Sequence, residues 1–153
     1  MAVEAPISKY KKNNLKIYIF VCIVFAIWFG YDGYFNEKFK AKHTDENGKP
    51  DSSLVFNQKS PPFFLGAAVL LAGYLFAINN KKIIAGESEL VISEKKKIAY
   101  DSIQKINKTH FDSKGYFIIT YKDKNDNELN SKLSDRKYDN LAAVLDQLVA
   151  KIS

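Results

Sequence analysis

SPPFFLGAAVLLAGYLFAINN, residues 60–80, contains no charged side chain. A bilayer core of roughly 30 Å needs about 20 residues of helix, because each residue advances only ~1.5 Å. The stretch meets that length. Upstream, residues 17–31 (IYIFVCIVFAIWFGY) are also uncharged but shorter. Lys16 can snorkel at one end, and Gly33 to Phe35 extend the other into the interface. The expected architecture is a two-helix membrane hairpin, with helices over 13–35 and 60–80 and a connecting loop over 36–59. The near-neutral mean hydropathy of −0.24 hides these helices because the charges sit outside them.

The charge distribution predicts an orientation. Residues 1–12, read as a short disordered lead, carry Lys9, Lys11 and Lys12 against Glu4, and Lys16 follows. Lys81 and Lys82 leave the second apolar run immediately. Basic residues at both outer ends favour the cytoplasmic side, so both termini are expected inside and the loop outside. Lys38, Lys40 and Lys42 in the loop count in the opposite sense. A basic start before an apolar run also describes a secretory signal, but Trp28-Phe29-Gly30-Tyr31 offers aromatic bulk where cleavage needs small residues. Such aromatics suit an interfacial belt.

Beyond Lys82 the pattern becomes short and alternating. Glu89-Leu90-Val91-Ile92 reads as a strand, Lys95-Lys96-Lys97 as a turn, and Ile98-Ala99-Tyr100 as the next strand. Strands over 103–111 and 116–122 flank Asp112-Ser113-Lys114-Gly115, a hairpin turn with Gly at a positive φ. Asp123 to Asn127 forms a second polar turn, and Leu129, Ser131 and Leu133 alternate along a half-buried strand. Tyr138, Leu141, Val144, Leu145, Leu148, Val149 and Ile152 then recur at helical spacing, with Ser134 or Asp135 as the cap. The fold class is α+β: two transmembrane helices followed by a small antiparallel β-sheet or barrel closed by a C-terminal amphipathic helix. On the second apolar helix Gly66, Gly73 and Ala77 share one face. Small residues let a neighbouring helix approach, here the chain's own first helix or a second copy. In the loop, Leu54-Val55-Phe56 is an apolar patch available to the membrane surface or a partner.

The tail resembles the bacterial pleckstrin-homology-like domains found beside transmembrane helix pairs. The resemblance rests on Leu90-Val91-Ile92 and its turn, then Ile98-Ala99-Tyr100-Asp101-Ser102-Ile103. It continues through Gly115-Tyr116-Phe117-Ile118-Ile119, Leu129-Asn130-Ser131-Lys132-Leu133 and the helix from Asp135 to Ile152. It implies a curved sheet plugged by the helix over 83–153, on the cytoplasmic side of an inner membrane. Eukaryotic relatives bind phosphoinositides near the first hairpin, where this chain has Lys95, Lys96 and Lys97.

Catalytic constellations are absent. His43 and His110 fall on opposite sides of the expected membrane, and the single cysteine, Cys22, lies within the first helix, so no His/Cys metal cluster assembles. No phosphate-cradling Gly-rich loop, Gly-x-Ser-x-Gly or His-Glu-x-x-His occurs. Asp123-Lys124-Asn125-Asp126-Asn127 resembles the start of a calcium loop, but Glu128 replaces its glycine and Ser134 its bidentate glutamate. Asp32, the one acidic residue near an apolar run, sits where it can reach water. Lysines outside the membrane runs are interleaved with carboxylates, and the single arginine is Arg136, which excludes a phosphate-backbone face. Neither a nucleic acid, a small-molecule substrate nor a cofactor is expected. Two functional readings follow. One is a non-enzymatic, membrane-anchored interaction module, a subunit or assembly factor of a membrane complex with a protein partner or a second copy. The other is a sensor of anionic lipid surfaces through Lys81, Lys82, Lys95, Lys96 and Lys97, each worth about 1 kcal/mol near such a leaflet.

Overall fold

The computed structural model describes residues 1–153 and divides into two compact units, residues 13–76 and residues 1–12 with 77–153. The chain is α+β, with two long apolar helices and two antiparallel sheets.

In the helical part, α1 (Lys9–Gly30) runs into a π-helical turn (Tyr31–Phe35), followed by α2 (Glu37–Lys42), α3 (Ser52–Lys59) and α4 (Pro61–Asn79). The stretches Lys9–Phe35 and Ser52–Asn79 are each long and apolar enough to cross a membrane. Only 11% of each apolar window is buried, whereas the core helix of a soluble domain is mostly buried. Along α1 and the π turn, Leu15, Ile19, Cys22, Ala26, Phe29 and Gly33 are among the positions withdrawn from solvent and form one row. On α3 and α4 the matching row is Leu54, Asn57, Pro61, Phe64, Ala68, Leu71 and Leu75. Both sets alternate steps of three and four, the repeat that keeps one seam between two helices facing inward. Phe64 fills part of that seam, its ring 5.6 Å from both Phe25 and Phe29.

Three expectations for this part change. Gly66, Gly73 and Ala77 do not meet the first helix. A Cβ placed at Gly66 or Gly73 finds no atom within 4 Å, and Ala77 is exposed. The larger Phe64 and Leu71 define the seam face, and the small residues fall on the other side of the helix. The expected loop is largely helical, because Asn36 and Asp51 cap α2 and α3 by accepting from Phe39 N and Leu54 N. Of the apolar patch, Leu54 is buried, whereas Phe56, its ring edge-on to Phe29, stays exposed.

The other unit holds a four-stranded sheet in the order β1 (Val3–Pro6), β2 (Lys82–Ala85), β3 (Glu89–Ser93), β4 (Lys96–Ala99). A 3-10 turn (Tyr100–Ser102) leads to a three-stranded sheet of β5 (Ile103–Asn107), β6 (Tyr116–Lys122) and β7 (Glu128–Ser134). Alternation along β6 turns Phe117, Ile119 and Tyr121 inward. The amphipathic helix α6 (Leu141–Ile152) covers the core with Leu141, Val144, Leu145 and Leu148, packing on β1, β2 and the 3-10 turn.

The disordered lead is also corrected. Residues 3–6 form β1, paired with β2 from Val3↔Ala85 to Pro6↔Lys82. That strand moves the start of the last helix. Residues 135–140 turn past the end of β1, with a single bridge between Tyr138 and Ile7, Ser8 N donating to Lys137 O (2.9 Å) and Asp139 N to Pro6 O (2.9 Å). The helix therefore begins after Asn140, in the left-handed region at φ 59°, rather than at Ser134 or Asp135. The strand expected over 103–111 ends at Asn107. A one-turn helix, α5 (Phe111–Lys114), fills the expected hairpin turn, and Gly115 takes the positive φ of 68°.

Candidate interaction surfaces

The five lysines singled out from the sequence do not form one cationic patch. The turn after β3 is Glu94-Lys95, so Lys96 and Lys97 belong to β4 and point to opposite faces of the sheet. Lys96 shares a face with buried Ile98, and its Nζ lies 5.8 Å from the centre of the Tyr121 ring. Lys97 Nζ approaches Glu89 Oε1 at 3.6 Å. Lys82 Nζ donates to Glu4 Oε1 at 2.6 Å, so the missed strand β1 supplies its counter-charge. Lys95 is exposed in its turn. Lys81 is exposed too, while its carbonyl accepts from Ile7 N (3.1 Å) and prolongs the β1–β2 pairing.

The calcium-like run is a hairpin turn held by its own first residue. Asp123 Oδ1 accepts from Asn125 N (2.8 Å) and Asn127 N (2.9 Å). These hydrogen bonds, that from Asn127 N foremost, hold the carboxyl below its usual range. Asp32 is likewise occupied, accepting from Trp28 Nε1 (3.0 Å) and Asn36 Nδ2 (2.8 Å). His43 Nδ1 lies 2.7 Å from Asp51 Oδ2, and His110 belongs to the other unit. No group of three His, Cys, Asp or Glu side chains converges anywhere in the chain.

Two features carry more structural information than any of these. The first is the junction of α3 and α4. Pro61 and Pro62 lack the N–H groups that would bond Asn57 O and Gln58 O in a continuous helix. The π turn satisfies one of these carbonyls and packs tightly against the other. Tyr34 Oη donates to Gln58 O (2.8 Å), and Gly33 lies so close that a Cβ there would stand 2.8 Å from Asn57 O. Gln58 Nε2 returns a bond to Gly33 O (3.1 Å), which lies at a helix end. The sequence holds the signal, a Pro-Pro pair opposite a Gly-Tyr pair, but it becomes legible only once the crossing point is known.

The second feature is the edge strand β7. Asp123 N donates to Asn127 O (3.0 Å) and Asp135 N to Gly115 O (2.8 Å). These bonds fix the phase of the β6–β7 ladder at both ends: the odd-numbered residues of β7 bond to β6, and the even-numbered ones direct their backbone outward. Outward, Ser134 O is used by Lys137 N and Tyr138 N. The backbone groups of Glu128, Asn130 and Lys132 have no partner on that side. Beside them Leu129 is 41% exposed. The other edges are closed or short. Residues 136–140 cover β1, with Asn140 Nδ2 donating to Glu4 O (3.0 Å), β4 is only four residues long, and β5 carries a register shift.

Compared with family models, curated proteins and solved structures, the chain matches none of them.

Proposed function

We propose that this chain is a non-enzymatic, membrane-anchored interaction module, a small subunit or assembly factor of a membrane protein complex. The observation that carries the reading is an apolar helical hairpin inserted between two neighbouring strands, β1 and β2, of a sheet domain. The exposed apolar surface of α1 and α4 suits lipid, since scattered exposed residues are ordinary but two whole helices of them are not. The β1–β2 pairing favours both ends of the hairpin emerging on one side, and the lysines at those ends favour the cytoplasmic side of an inner membrane. Four strands, three strands and a closing helix support the pleckstrin-homology-like reading of the sheet domain. With no converging catalytic groups, its free strand edge is the natural binding element.

The anionic-lipid reading is weaker. Lys82 and Lys97 are neutralised by Glu4 and Glu89, and Lys96 is turned toward Tyr121, which leaves Lys81 and Lys95 to face a leaflet.

Labelling of single cysteines with an impermeant reagent, followed by purification of the full chain in mild detergent, tests the proposal. Ser52→Cys should be labelled in intact cells and Ser113→Cys should not, and a stoichiometric protein should co-purify. Labelling at Ser113→Cys overturns the orientation. A chain that runs alone under all gentle conditions overturns the complex. Flotation of the full chain's partner-free form with anionic vesicles, lost on Lys95→Gln, would instead support the lipid reading.

A further inference from the structure

We propose that β7 pairs with β7 of a second copy, antiparallel and centred on Asn130, joining the two three-stranded sheets into one continuous sheet. The inference names one partner for the interaction reading and rests on it. Three observations select this edge and this occupant.

The outward backbone groups of Glu128, Asn130 and Lys132 form an uninterrupted row on the longest edge strand that nothing covers. Unpaired edges are templates for another strand, and natural proteins deter that with charge. Here the charges are self-complementary. A twofold axis through Asn130 sets Glu128 of each copy opposite Lys132 of the other, in hydrogen-bonded pairs that use every outward group of the row. Opposite charges across a ladder are favourable and like charges unfavourable. The neighbouring register, with Asn130 opposite Lys132, leaves Glu128 facing Ser134, whose carbonyl is already taken. The centred register also sets exposed Leu129 beside Ser131 of the other copy, withdrawing the largest apolar side chain on this edge from water. The same two charges that discourage a neutral strand therefore select this one. Confinement of both copies to one membrane would raise their effective concentration and make a short strand pair sufficient.

The test uses the full chain in membranes, with Cys22→Ser as background because Cys22 is its single cysteine. In the centred register the two Asn130 Cα atoms lie about 5.5 Å apart, within disulfide range. The two Lys132 positions lie roughly 14 Å apart along the strand. Asn130→Cys should couple to itself under mild oxidation or with a short thiol-to-thiol reagent, and Lys132→Cys should not. Added to Asn130→Cys, either Glu128→Lys or Lys132→Glu should lower the coupled fraction roughly fivefold or more, by facing like charges in two symmetric places. Both exchanges together should restore it, which separates lost pairing from lost folding. No coupling at Asn130, equal coupling at Lys132, or failure of the double exchange to restore coupling each overturns the pairing. Those results leave the interaction reading intact if another protein still co-purifies. Self-coupling without any other protein supports the pairing while removing the hetero-complex.

Discussion

Phe63, Leu70 and Phe76 of α4 are 79%, 76% and 86% exposed, whereas Phe117, Val144 and Leu148 of the sheet unit are at 0%. The two regions draw on the same residue types and use them in opposite directions. In the sheet unit, period-two strands and one amphipathic helix gather apolar side chains on a single inner side, the arrangement water enforces. In the hairpin only a narrow heptad seam turns inward, and the rest of each helix stays apolar around its circumference. A helix apolar all round needs an apolar surrounding. The difference is the one expected if the sheet unit folds against water and the hairpin lies in the lipid proposed for it.

One substitution made in both regions gives the strongest test of that contrast. Leu145→Asp puts an unpaired charge on the buried face of α6. Losing a buried leucine costs about 2–5 kcal/mol before the charge is counted, against a total stability of about 5–15 kcal/mol for a domain. Protease resistance of residues 77–153 in the full chain should be lost. Leu70→Asp should leave that resistance intact and reduce the membrane-integrated fraction, since Asp near a helix centre costs about 2.5–3.5 kcal/mol on insertion scales. Wild-type integration of Leu70→Asp would show that α4 does not face lipid there. A resistant Leu145→Asp would refute the packing of α6.

How far the sequence reveals this contrast depends on the range of the forces involved. The strands β3, β6 and β7 are legible because alternation is local, and so are the apolar runs. Val3-Glu4-Ala5-Pro6 is too short and mixed to show a period, and its partner Lys82–Ala85 lies beyond the whole hairpin. Without β1, Ser134 and Asp135 look like a helix cap; with it, Lys137 O, Tyr138 and Asp139 N are taken up by residues 6–8. Lys82 likewise lacks a visible counter-ion until β1 brings Glu4 beside it. Lys95-Lys96-Lys97 reads as a turn by composition, yet Lys96 and Lys97 continue the alternation of Ile98 and Ala99. The spacing of Leu15, Ile19, Cys22, Ala26, Phe29 and Gly33 does not stand out in a run that is apolar all round, whereas the glycines of α4 do. The free edge of β7 was not legible, because the phase of a ladder is set by its partner strand.

Within the hairpin, the glycines sharpen the contrast between the seam and the exposed face. A Cβ at Gly33 would stand 2.8 Å from Asn57 C and O and 2.9 Å from Gln58 N, all backbone atoms that cannot swing aside. Gly33→Ala must separate the π turn from α3, and overpacking of this kind costs about 1–3 kcal/mol. The helical thermal transition in detergent should fall accordingly. Gly66→Ala meets nothing within 4 Å and should leave that transition unchanged or slightly raised, given the better helix propensity of alanine. A drop for Gly66→Ala equal to that for Gly33→Ala would mean that another helix covers the small-residue face.

The smallest expected effect lies where α3 begins, between the two apolar helices. Asp51 Oδ1 accepts from Leu54 N (2.9 Å) and Oδ2 lies 2.7 Å from His43 Nδ1. The hydrogen bond from Leu54 N foremost, then His43, holds the Asp51 carboxyl below its usual value. A carboxyl depressed in the folded state stabilises at every pH above its unfolded pKa, near 3.9, and loses that contribution as pH falls through the lower folded pKa. Asp51 should therefore contribute no pH dependence between pH 7 and about pH 5, and the cap should loosen below about pH 4. The Leu54 amide proton shift, followed by NMR from pH 7 downward, reads this directly. Asp51→Asn keeps an oxygen acceptor for Leu54 N and should flatten the acid step, while Asp51→Ala should free that amide at every pH. The sheet unit offers the internal control, because Asp123 is held low by Asn127 N in the same way. Its turn amides should shift in the same acid range in the wild type and in both variants. An acid step at Leu54 that survives Asp51→Asn would assign the titration to another group and remove Asp51 as the cap that starts α3.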